Sequence, residues 1–396
     1  MRDNVVRKHA PSYDQNSREE SDVYLARPLR RKPCGKRTQH RRKQLIRKTI
    51  FTNIRIRNLF IRLGFTMIFI LIIGNLDTLL SIKTYHGIMQ SRAMYAQPDN
   101  TVDVVFMGSS HIHCDVNTAL LWDDYGIAGY DYSAAEQPIW ITYYYLKEFC
   151  KAQNPKLVVI DLYSIARFGD DFNEFWMPDN IYGMKFSLNK VDLMISSCNK
   201  EQINKYFPSF AGYHSRYDEL DDKDYELLEI PEEDLAEFKG YNPYFDLHAV
   251  AAPETTVTAK TPIPPKSKDY LQKIIDYTKD HDIELMLVVN PYPSTTVDEM
   301  VYNSIEEMAI SNNVAYVNMN KSIDAIGLKA DEHYNDDSHL NYQGSCVFSY
   351  YLGSYIKDNY VIEDHRGDED YETWDAFSDR VEDANVDVLN KNTIFL

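Results

Sequence analysis

Cysteine is scarce in this chain, and the few cysteines present do not have the spacing of a metal site. Five cysteines occur among the 396 residues, and no two of them form the C-x-x-C spacing that is typical of zinc sites. The four that follow residue 100 permit disulfides without requiring them, and their pairing stays open: Cys114, Cys150, Cys198 and Cys346. The sequence therefore predicts neither a metal centre nor a cofactor.

A nucleic-acid-binding module is also lacking, although the first part of the chain is strongly basic. Up to Arg62 the chain has 18 Lys/Arg and 5 Asp/Glu residues. The whole chain has 42 Lys/Arg and 60 Asp/Glu, so the part after Arg62 has 24 basic and 55 acidic residues. Such a distribution indicates two parts in different surroundings. Because no aromatic residues interrupt the basic clusters, we expect no nucleic-acid partner. Residues 1–58 are predicted to be a disordered basic tail that contacts anionic lipid at most.

One long apolar run separates the two parts, and no small-x-small cleavage site follows it. The run Leu63–Gly74 continues less cleanly to Ile82, so 59–82 provides the roughly 20 residues that cross a bilayer. A buried core helix would not explain the charge step, and a cleaved signal peptide would need a cleavage site. We predict an uncleaved signal anchor with the basic tail in the cytoplasm. The protein is then a single-pass cell-membrane protein, with a linker at 83–100 and an extracellular domain after it.

After residue 100, short apolar runs alternate with segments of helical periodicity. Strands are predicted at 102–107, 130–132, 156–163, 284–289 and 315–318, and helices at 116–125, 139–151, 266–279, 297–312 and 345–357. The near-continuous apolar character of 156–163 is typical of a strand that is buried on both faces. The alternation predicts an α/β domain at 101–362, with a parallel sheet flanked by helices.

Two segments depart from this alternation. Residues from about 164 to 265 are rich in aromatic and acidic residues and end in a Pro-rich stretch. We predict an insertion that covers one edge of the sheet, and both a substrate groove and a solvated excursion without a ligand are open for it. The segment 363–396 is acidic and is expected to be a poorly ordered carboxyl-terminal tail.

Ser110 directly follows the first predicted strand, in the sequence Gly108-Ser109-Ser110. The carboxyl edge of a parallel sheet is where α/β proteins bind ligands, and a helix that begins there directs free backbone N–H groups toward the same point. Ser110 is therefore placed where a nucleophile is useful, while an ordinary helix-capping role is the alternative. His111 and His113 flank this serine, but they form a poor metal-ligand set.

A second cluster lies near the other end of the chain, where Asp336 and His339 follow the last predicted strand. A serine hydroxyl needs a base to remove its proton, and the base needs a carboxylate that fixes its tautomer. Asp336 and His339 supply both from one turn. Because the last strands of a doubly wound sheet can lie close to the first, the pattern indicates a catalytic triad with Ser110.

Together the two blocks resemble the SGNH/GDSL hydrolase superfamily. That superfamily pairs a Gly-Asp-Ser-like block after its first strand with an Asp-x-x-His block before its last helix. Here the blocks read Gly108-Ser109-Ser110 and Asp336-Asp337-Ser338-His339, and the resemblance covers about residues 101–360 apart from the insertion. It implies a flavodoxin-like parallel sheet, Ser110 as nucleophile, His339 as general base and acid, and Asp336 as the residue that orients His339.

Ser109 stands where most members of the superfamily carry aspartate. In this it is similar to the membrane-anchored branch that includes the DltD protein of teichoic-acid D-alanylation and the alginate acetylation proteins. The similarity implies an esterase or O-acyltransferase that acts through an acyl-serine intermediate on an envelope polysaccharide, an acylated sugar or a teichoic-acid-like polymer. The implied partner is a membrane-bound O-acyltransferase that supplies acyl groups.

The two other blocks of the superfamily are missing. A Gly normally follows the second strand and a Gly-x-Asn-Asp block the third, but these regions lack them here. We expect the backbone N–H of Ser110, with an N–H near Ser133 or the amide of Gln137, to stabilise the oxyanion. Asn290, at the end of the fourth strand, either lines the pocket or only precedes a strand-breaking proline. The alternative function is a non-catalytic envelope module that binds polysaccharide through its tyrosines.

Overall fold

Five short apolar runs form one parallel sheet in the computed structural model of the protein. The strands are β1 Val104–Met107, β2 Gly129–Asp131, β3 Leu157–Asp161, β4 Glu284–Val289 and β5 Ala315–Asn318. Their order is β2-β1-β3-β4-β5, and each neighbouring pair is parallel. This is the strand order of flavodoxin-like folds. The prediction of an α/β domain with a parallel sheet flanked by helices is confirmed.

The structure describes residues 36–207, 212–226 and 230–386, and the chain divides into two compact units, Met1–Phe69 and Ile70–Leu396. Helices in the described ranges are Lys36–Leu80, Ile88–Met94, Ser110–His113, Thr118–Tyr125, Ile139–Phe149, Tyr163–Arg167, Met177–Ile181, Leu188–Ser197, Lys200–Tyr206, Asp222–Glu226, Glu232–Glu237, Pro265–Asp280, Thr296–Asn312, Ile323–Ile326, Tyr342–Asn359 and Glu372–Val386. Short 3-10 helices are Glu174–Trp176, Arg216–Asp218, Met319–Ser322 and Glu369–Tyr371. The four cysteines after residue 100 are all free.

Side chains of the strands alternate between the two faces of the sheet, and both faces are buried. On one face Val105 and Met107 belong to a large apolar core shared with the helices that follow β2 and precede β4. On the other face Val104 and Phe106 pack in a second core with side chains of the helix Tyr342–Asn359. The strands can be near-continuously apolar because helices cover the sheet on both sides.

The helix Lys36–Leu80 is 45 residues long. Within the described ranges it is the one helix long and apolar enough to cross a bilayer, and its apolar window is exposed. This is compatible with the predicted anchor at 59–82, since a large exposed apolar surface marks an interaction with a membrane or a partner. The prediction of disorder is wrong for 36–58, which are helical and rich in good helix formers. The rest of the predicted tail lies outside the described residues.

The segment 83–100, predicted as a linker, is part of the folded domain. It contains the helix Ile88–Met94, in which Met89 and Met94 are completely buried. The side-chain amide of Gln90 donates a hydrogen bond to the carbonyl of Gly240 at 3.1 Å. Apolar burial and this polar contact hold the segment against the domain, so it does not act as a free connection.

The expectation of a poorly ordered acidic tail is wrong for residues 363–386. The helix Glu372–Val386 begins in this segment, and its Trp374 and Phe377 are buried. The indole N–H of Trp374 donates to the carbonyl of Gly129 at 3.2 Å. An apolar stripe at helical spacing outweighs the acidic composition, because the acidic residues can occupy the solvent face. Residues 387–396 lie outside the described residues.

The insertion at about 164–265 consists of short helices joined by irregular segments. Its last part covers the β2 edge of the sheet, where the N–H of Asp131 donates to the carbonyl of Lys239 at 2.9 Å. The chain then continues to Tyr244, which forms an isolated parallel bridge with Asn341. The insertion therefore reaches the loop that carries the predicted Asp-x-x-His block.

Candidate active site

Ser110 begins the helix Ser110–His113 and is the third residue after β1. The turn requires Gly108, whose φ is 152°, because side chains other than glycine rarely adopt this conformation. A Cβ atom at this position would also lie only 3.1 Å from Cβ of Asp161. Ser109 is the N-cap residue, and its side chain makes no capping hydrogen bond. Because Ser109 and not Ser110 is at the N-cap position, the Ser110 hydroxyl is not used to cap the helix and can bind another partner.

That partner is His339, whose Nε2 lies 2.7 Å from Oγ of Ser110. On the other side of the ring, Nδ1 lies 3.0 Å from each carboxylate oxygen of Asp336. A proton on Nδ1 fits both contacts, because an ionised carboxylate only accepts and Nε2 is then free to accept from the serine. The neighbouring Asp337 instead contacts Nε2 of His248 at 3.1 Å. The structure brings the three predicted triad residues together.

Asp336 is held by several donors besides the imidazole. Its Oδ1 accepts the backbone N–H groups of Ser338 at 2.8 Å and His339 at 2.9 Å, and its Oδ2 accepts from the Asn335 amide at 3.0 Å. Burial alone would raise the pKa of Asp336, but these hydrogen bonds and the nearby His339 outweigh burial and hold that pKa well below its usual range. The carboxylate is therefore ionised at neutral pH and can stabilise a protonated imidazole.

Aromatic rings enclose His339. The ring of Tyr244 meets the His339 ring edge-on at a centroid distance of 5.3 Å. The ring of His111 also meets it edge-on, at the same centroid distance. The Tyr163 ring packs on His111 with a centroid distance of 3.7 Å and a tilt of 31°, and its hydroxyl lies 3.2 Å from Oγ of Ser338. Burial lowers the pKa of His111 well below the ordinary value, so this ring is neutral. Such packing restricts the rotamers of His339 and favours the orientation that faces the serine.

Two further predicted pocket residues have other partners. Oγ of Ser133 lies 2.8 Å from Nδ1 of His113, and the Gln137 amide donates to Oγ1 of Thr142 at 2.9 Å. Both side chains are completely buried. These contacts give the Ser133 hydroxyl and the Gln137 amide internal partners, while an oxyanion donor from the backbone near Ser133 or from Gln137 stays a prediction. Buried polar groups of this kind normally satisfy internal hydrogen bonds.

Asn290, at the end of β4, supports the turn beneath the candidate nucleophile. Its side-chain amide donates to the carbonyl of His111 at 2.8 Å, and its backbone N–H donates to Oδ1 of Asp161 at 3.2 Å. Burial raises the pKa of Asp161 to about 7, although backbone N–H groups of Asn290, Tyr163 and Leu162 partly offset the effect. Asn290 is completely buried, and its hydrogen bonds stabilise the turn that carries Ser110.

Sequence reasoning missed three rings at the site, two that contact His339 and one that packs on His111. Tyr163 follows β3 at the same sheet edge as Ser110, so its position after a strand was the signal that could have identified it. His111 was considered only as a metal ligand. Tyr244 belongs to the insertion, and no local pattern predicts that it reaches His339.

Metal ligation was weighed for His111 and His113. Within the described ranges, no group of three His, Cys, Asp or Glu side chains has the arrangement of a metal site. The ring of His111 packs against Tyr163, and His113 contacts Ser133. Both histidines therefore belong to the packed wall of the site.

Comparison with known proteins gives little beyond this geometry. No protein family model matches the chain, and no curated protein matches it. Among solved structures, a crystal structure described as "a putative acylhydrolase" from Bacteroides fragilis NCTC 9343 matches with 13% sequence identity and a TM-score of 0.32. The match covers 66% of this chain and 90% of the other. We draw no functional conclusion from a likeness at this level.

Proposed function

We propose that the protein is a serine-dependent acyl-ester hydrolase or O-acyltransferase of the SGNH/GDSL type. The observation that carries this proposal is the hydrogen-bonded path from Oγ of Ser110 through the ring of His339 to the carboxylate of Asp336, with distances of 2.7 and 3.0 Å. The path lies at the carboxyl edge of a parallel sheet, where α/β proteins bind ligands. The sequence blocks Gly108-Ser109-Ser110 and Asp336-Asp337-Ser338-His339 support the same assignment.

In the first half-reaction, Oγ of Ser110 attacks the carbonyl carbon of an acyl ester while Nε2 of His339 accepts the hydroxyl proton. Asp336 stays ionised and stabilises the imidazolium that forms. The tetrahedral intermediate then breaks its bond to the alcohol oxygen, which takes the proton from His339. The acyl group remains on Ser110 as an ester.

In the second half-reaction, water or a sugar hydroxyl gives its proton to His339 and attacks the acyl carbon. The bond to Oγ of Ser110 breaks, and the serine recovers the proton from His339. Hydrolysis and transfer therefore share every step except the identity of the acceptor. A site that admits a sugar hydroxyl more readily than water would act as a transferase.

The oxyanion of each tetrahedral intermediate needs hydrogen-bond donors. We assign the backbone N–H of Ser110, in the first turn of its helix, as one of them. A backbone N–H near Ser133 is the expected second donor, since the side chains of Ser133 and Gln137 have internal partners. The asparagine that the superfamily places after its third strand is missing here. Loss of one such donor typically lowers the rate by about 100- to 1,000-fold. We therefore expect slow hydrolysis by the isolated protein and faster reaction with its partner.

The setting that we propose for this reaction is the outer face of the cell membrane. The exposed apolar helix and the basic residues before it support a single-pass anchor at 59–82 with a cytoplasmic amino terminus. By resemblance to the DltD-like branch, the substrates are an envelope polysaccharide, an acylated sugar or a teichoic-acid-like polymer. A membrane-bound O-acyltransferase is the proposed source of acyl groups.

One observation favours a second candidate, a non-catalytic polysaccharide-binding module that retains the fold. The chain lacks the Gly-x-Asn-Asp block of the superfamily, and the side chains of Ser133 and Gln137 have other hydrogen-bond partners, so fewer side-chain donors are available to an oxyanion. A binding module would need no such donors. It would also never form an acyl-serine, which separates the two candidates experimentally.

The test is covalent labelling of the full-length protein in detergent with a fluorophosphonate, followed by mass spectrometry of the adduct. Wild type should carry the label on Ser110, Ser110→Ala should carry none, and His339→Ala should react far more slowly. Ser109→Ala is the matched control, because this neighbouring serine has a buried hydroxyl and makes no capping hydrogen bond. Its labelling should equal that of wild type.

Two results would contradict the proposal. Equal labelling of wild type and Ser110→Ala would show that another residue reacts. No labelling of any folded variant, and no turnover of p-nitrophenyl acetate, would favour the binding module. Circular dichroism of each variant distinguishes a lost nucleophile from a lost fold.

A further inference from the structure

The second unit, Ile70–Leu396, contains the end of the apolar helix, and the insertion is attached to it there. The Arg216 guanidinium donates to the carbonyl of Leu80 at 2.7 Å. The same side chain forms an ion pair with Asp224 at 3.1 Å, and Lys83 lies 3.5 Å from that carboxylate. The point where the chain would leave the bilayer is therefore fixed to the insertion.

Aromatic side chains of the insertion pack one against the next between the end of the apolar helix and the surface of the insertion. Tyr182 borders a small cavity together with Asp77 and Ser81 of the helix end. Its ring packs against Tyr213 at 4.6 Å and against Tyr206 at 6.5 Å. Adjacent side chains thus connect the helix end with the segment that follows Tyr206.

Three apolar side chains at the end of this run are exposed. Phe207, next to Tyr206, stacks on Phe186 at 5.7 Å. Phe186 is 70% exposed, Leu188 is 84% exposed, and Phe207 is partly exposed. Aromatic and leucine side chains of this kind are the residues that enter the interfacial region of a bilayer. We call Phe186, Leu188 and Phe207 the apolar patch.

We propose that the apolar patch docks on the lipid bilayer beside the exit of the membrane-spanning helix. The inference rests on the proposed single-pass anchor. Lipid is the favoured occupant because Tyr182, which borders the helix end, packs against Tyr206, and Tyr206 directly precedes Phe207 of the patch. The segment 83–100 is packed into the domain, so the domain cannot swing away on a flexible linker. The proposed bilayer therefore stays close to the part of the insertion that contacts the helix end.

Charge argues for the same mode of docking. The chain after Arg62 has 55 acidic and 24 basic residues, so anionic lipid would repel the domain as a whole. Insertion of apolar side chains does not depend on that charge, whereas electrostatic attachment does. We therefore expect docking that persists at high salt and that needs no anionic lipid. Its consequence is a fixed orientation of the catalytic domain relative to the membrane.

The test uses nitroxide labels on the full-length protein in liposomes of zwitterionic lipid, with Cys34→Ser as the background. Labels are placed at Phe186→Cys and Leu188→Cys in the patch, and at Val361→Cys and Ile310→Cys as controls, which are 96% and 71% exposed. A label at Ile68→Cys reports on the membrane span itself. Collisions with oxygen, which concentrates in lipid, are compared with collisions with a water-soluble nickel chelate. The unsubstituted background gives the signal of the native cysteines.

The expected result is that Ile68, Phe186 and Leu188 labels favour oxygen, while Val361 and Ile310 labels favour the nickel chelate, at both low and high salt. If the patch labels behave like the controls while the Ile68 label favours oxygen, the docking proposal is wrong and the anchor stands. If the Ile68 label also favours nickel, the anchor is wrong. Dipolar broadening between patch labels would indicate that a second copy covers the patch, which also overturns docking on lipid.

Discussion

Oγ of Ser110 and Nε2 of His339 lie 2.7 Å apart, although 229 residues separate them in the chain. A second contact beside them fixes this approach, because the N–H of Leu340 donates to Oδ1 of Asp115 at 2.9 Å. The helix Tyr342–Asn359 then packs against the β1 face of the sheet through the second core. Contacts next to Ser110 and next to His339 therefore hold the two residues close to each other.

The first prediction distinguishes Asp336 from the adjacent Asp337. Replacement of Asp336 by Asn should lower the rate of acylation by about 1,000- to 10,000-fold, because the imidazole loses the carboxylate that fixes its tautomer. Asp337→Asn should leave the rate near that of wild type, since the Asp337 side chain is 85% exposed and contacts the surface residue His248. Fluorophosphonate labelling rates measure both. Equal losses for the two variants would mean that the orienting carboxylate has been misassigned.

The second prediction concerns Ser133, which sequence reasoning placed near the oxyanion. Ser133→Ala should lower the free energy of unfolding by about 1–3 kcal/mol, because a buried nitrogen of His113 loses its partner. Labelling of Ser110 should stay within a few-fold of wild type. Thermal melting and labelling rates are measured on the same preparations. A loss of 100-fold or more in labelling with an unchanged Tm would instead assign Ser133 to the oxyanion site.

The strands and the candidate triad were readable from the sequence because local patterns determine them. The run Val104–Met107 is apolar throughout and ends at a glycine that needs a positive φ, which marks both the strand and its turn. Parallel strands place their carboxyl ends at one edge. Ser110 and the Asp336–His339 turn could therefore be expected at the same place before the structure was known.

Other features depend on contacts that no local pattern specifies. Tyr244 meets His339 only because the insertion passes the sheet edge, and sequence spacing does not encode that path. Gln137 follows β2, but its amide turns to Thr142. The helix Glu372–Val386 is a different case, since its buried residues have helical spacing and the acidic composition obscured them.

The third prediction tests this carboxyl-terminal helix. Trp374 is buried, and the Lys239 ammonium lies 3.5 Å from the centroid of its ring. Trp374→Ala should destabilise the fold by about 3–5 kcal/mol, because it leaves a large cavity and removes the aromatic face from a buried lysine. Asp379→Ala on the exposed face of the same helix is the control and should change stability by less than about 0.5 kcal/mol. A Tm of Trp374→Ala equal to that of the control would show that the helix does not hold the domain together.

The last prediction follows from the buried carboxyl group of Asp161. Burial raises its pKa to about 7, above the value near 4 of an unfolded chain. The folded state therefore keeps a proton that the unfolded state releases, so this contribution to stability is present at low pH and is lost as the pH rises through about 7. The Tm of wild type should fall between pH 5 and pH 8, with Asp115 and Asp131, whose pKa values burial also raises, adding to the slope. Asp161→Asn, which cannot ionise, should show a flatter profile.

The absolute Tm of Asp161→Asn is not the diagnostic quantity, because an amide has one acceptor oxygen where the carboxyl group has two. Asp161 uses both oxygens, since Oδ1 accepts from Asn290 and Oδ2 from Tyr163, so the variant should start from a lower Tm at pH 5. What should change is the difference between variant and wild type, which should move in favour of the variant as the pH rises. Asp379→Asn controls for loss of a surface charge. Parallel Tm profiles for Asp161→Asn and wild type would mean that Asp161 is already ionised in the folded protein at pH 5.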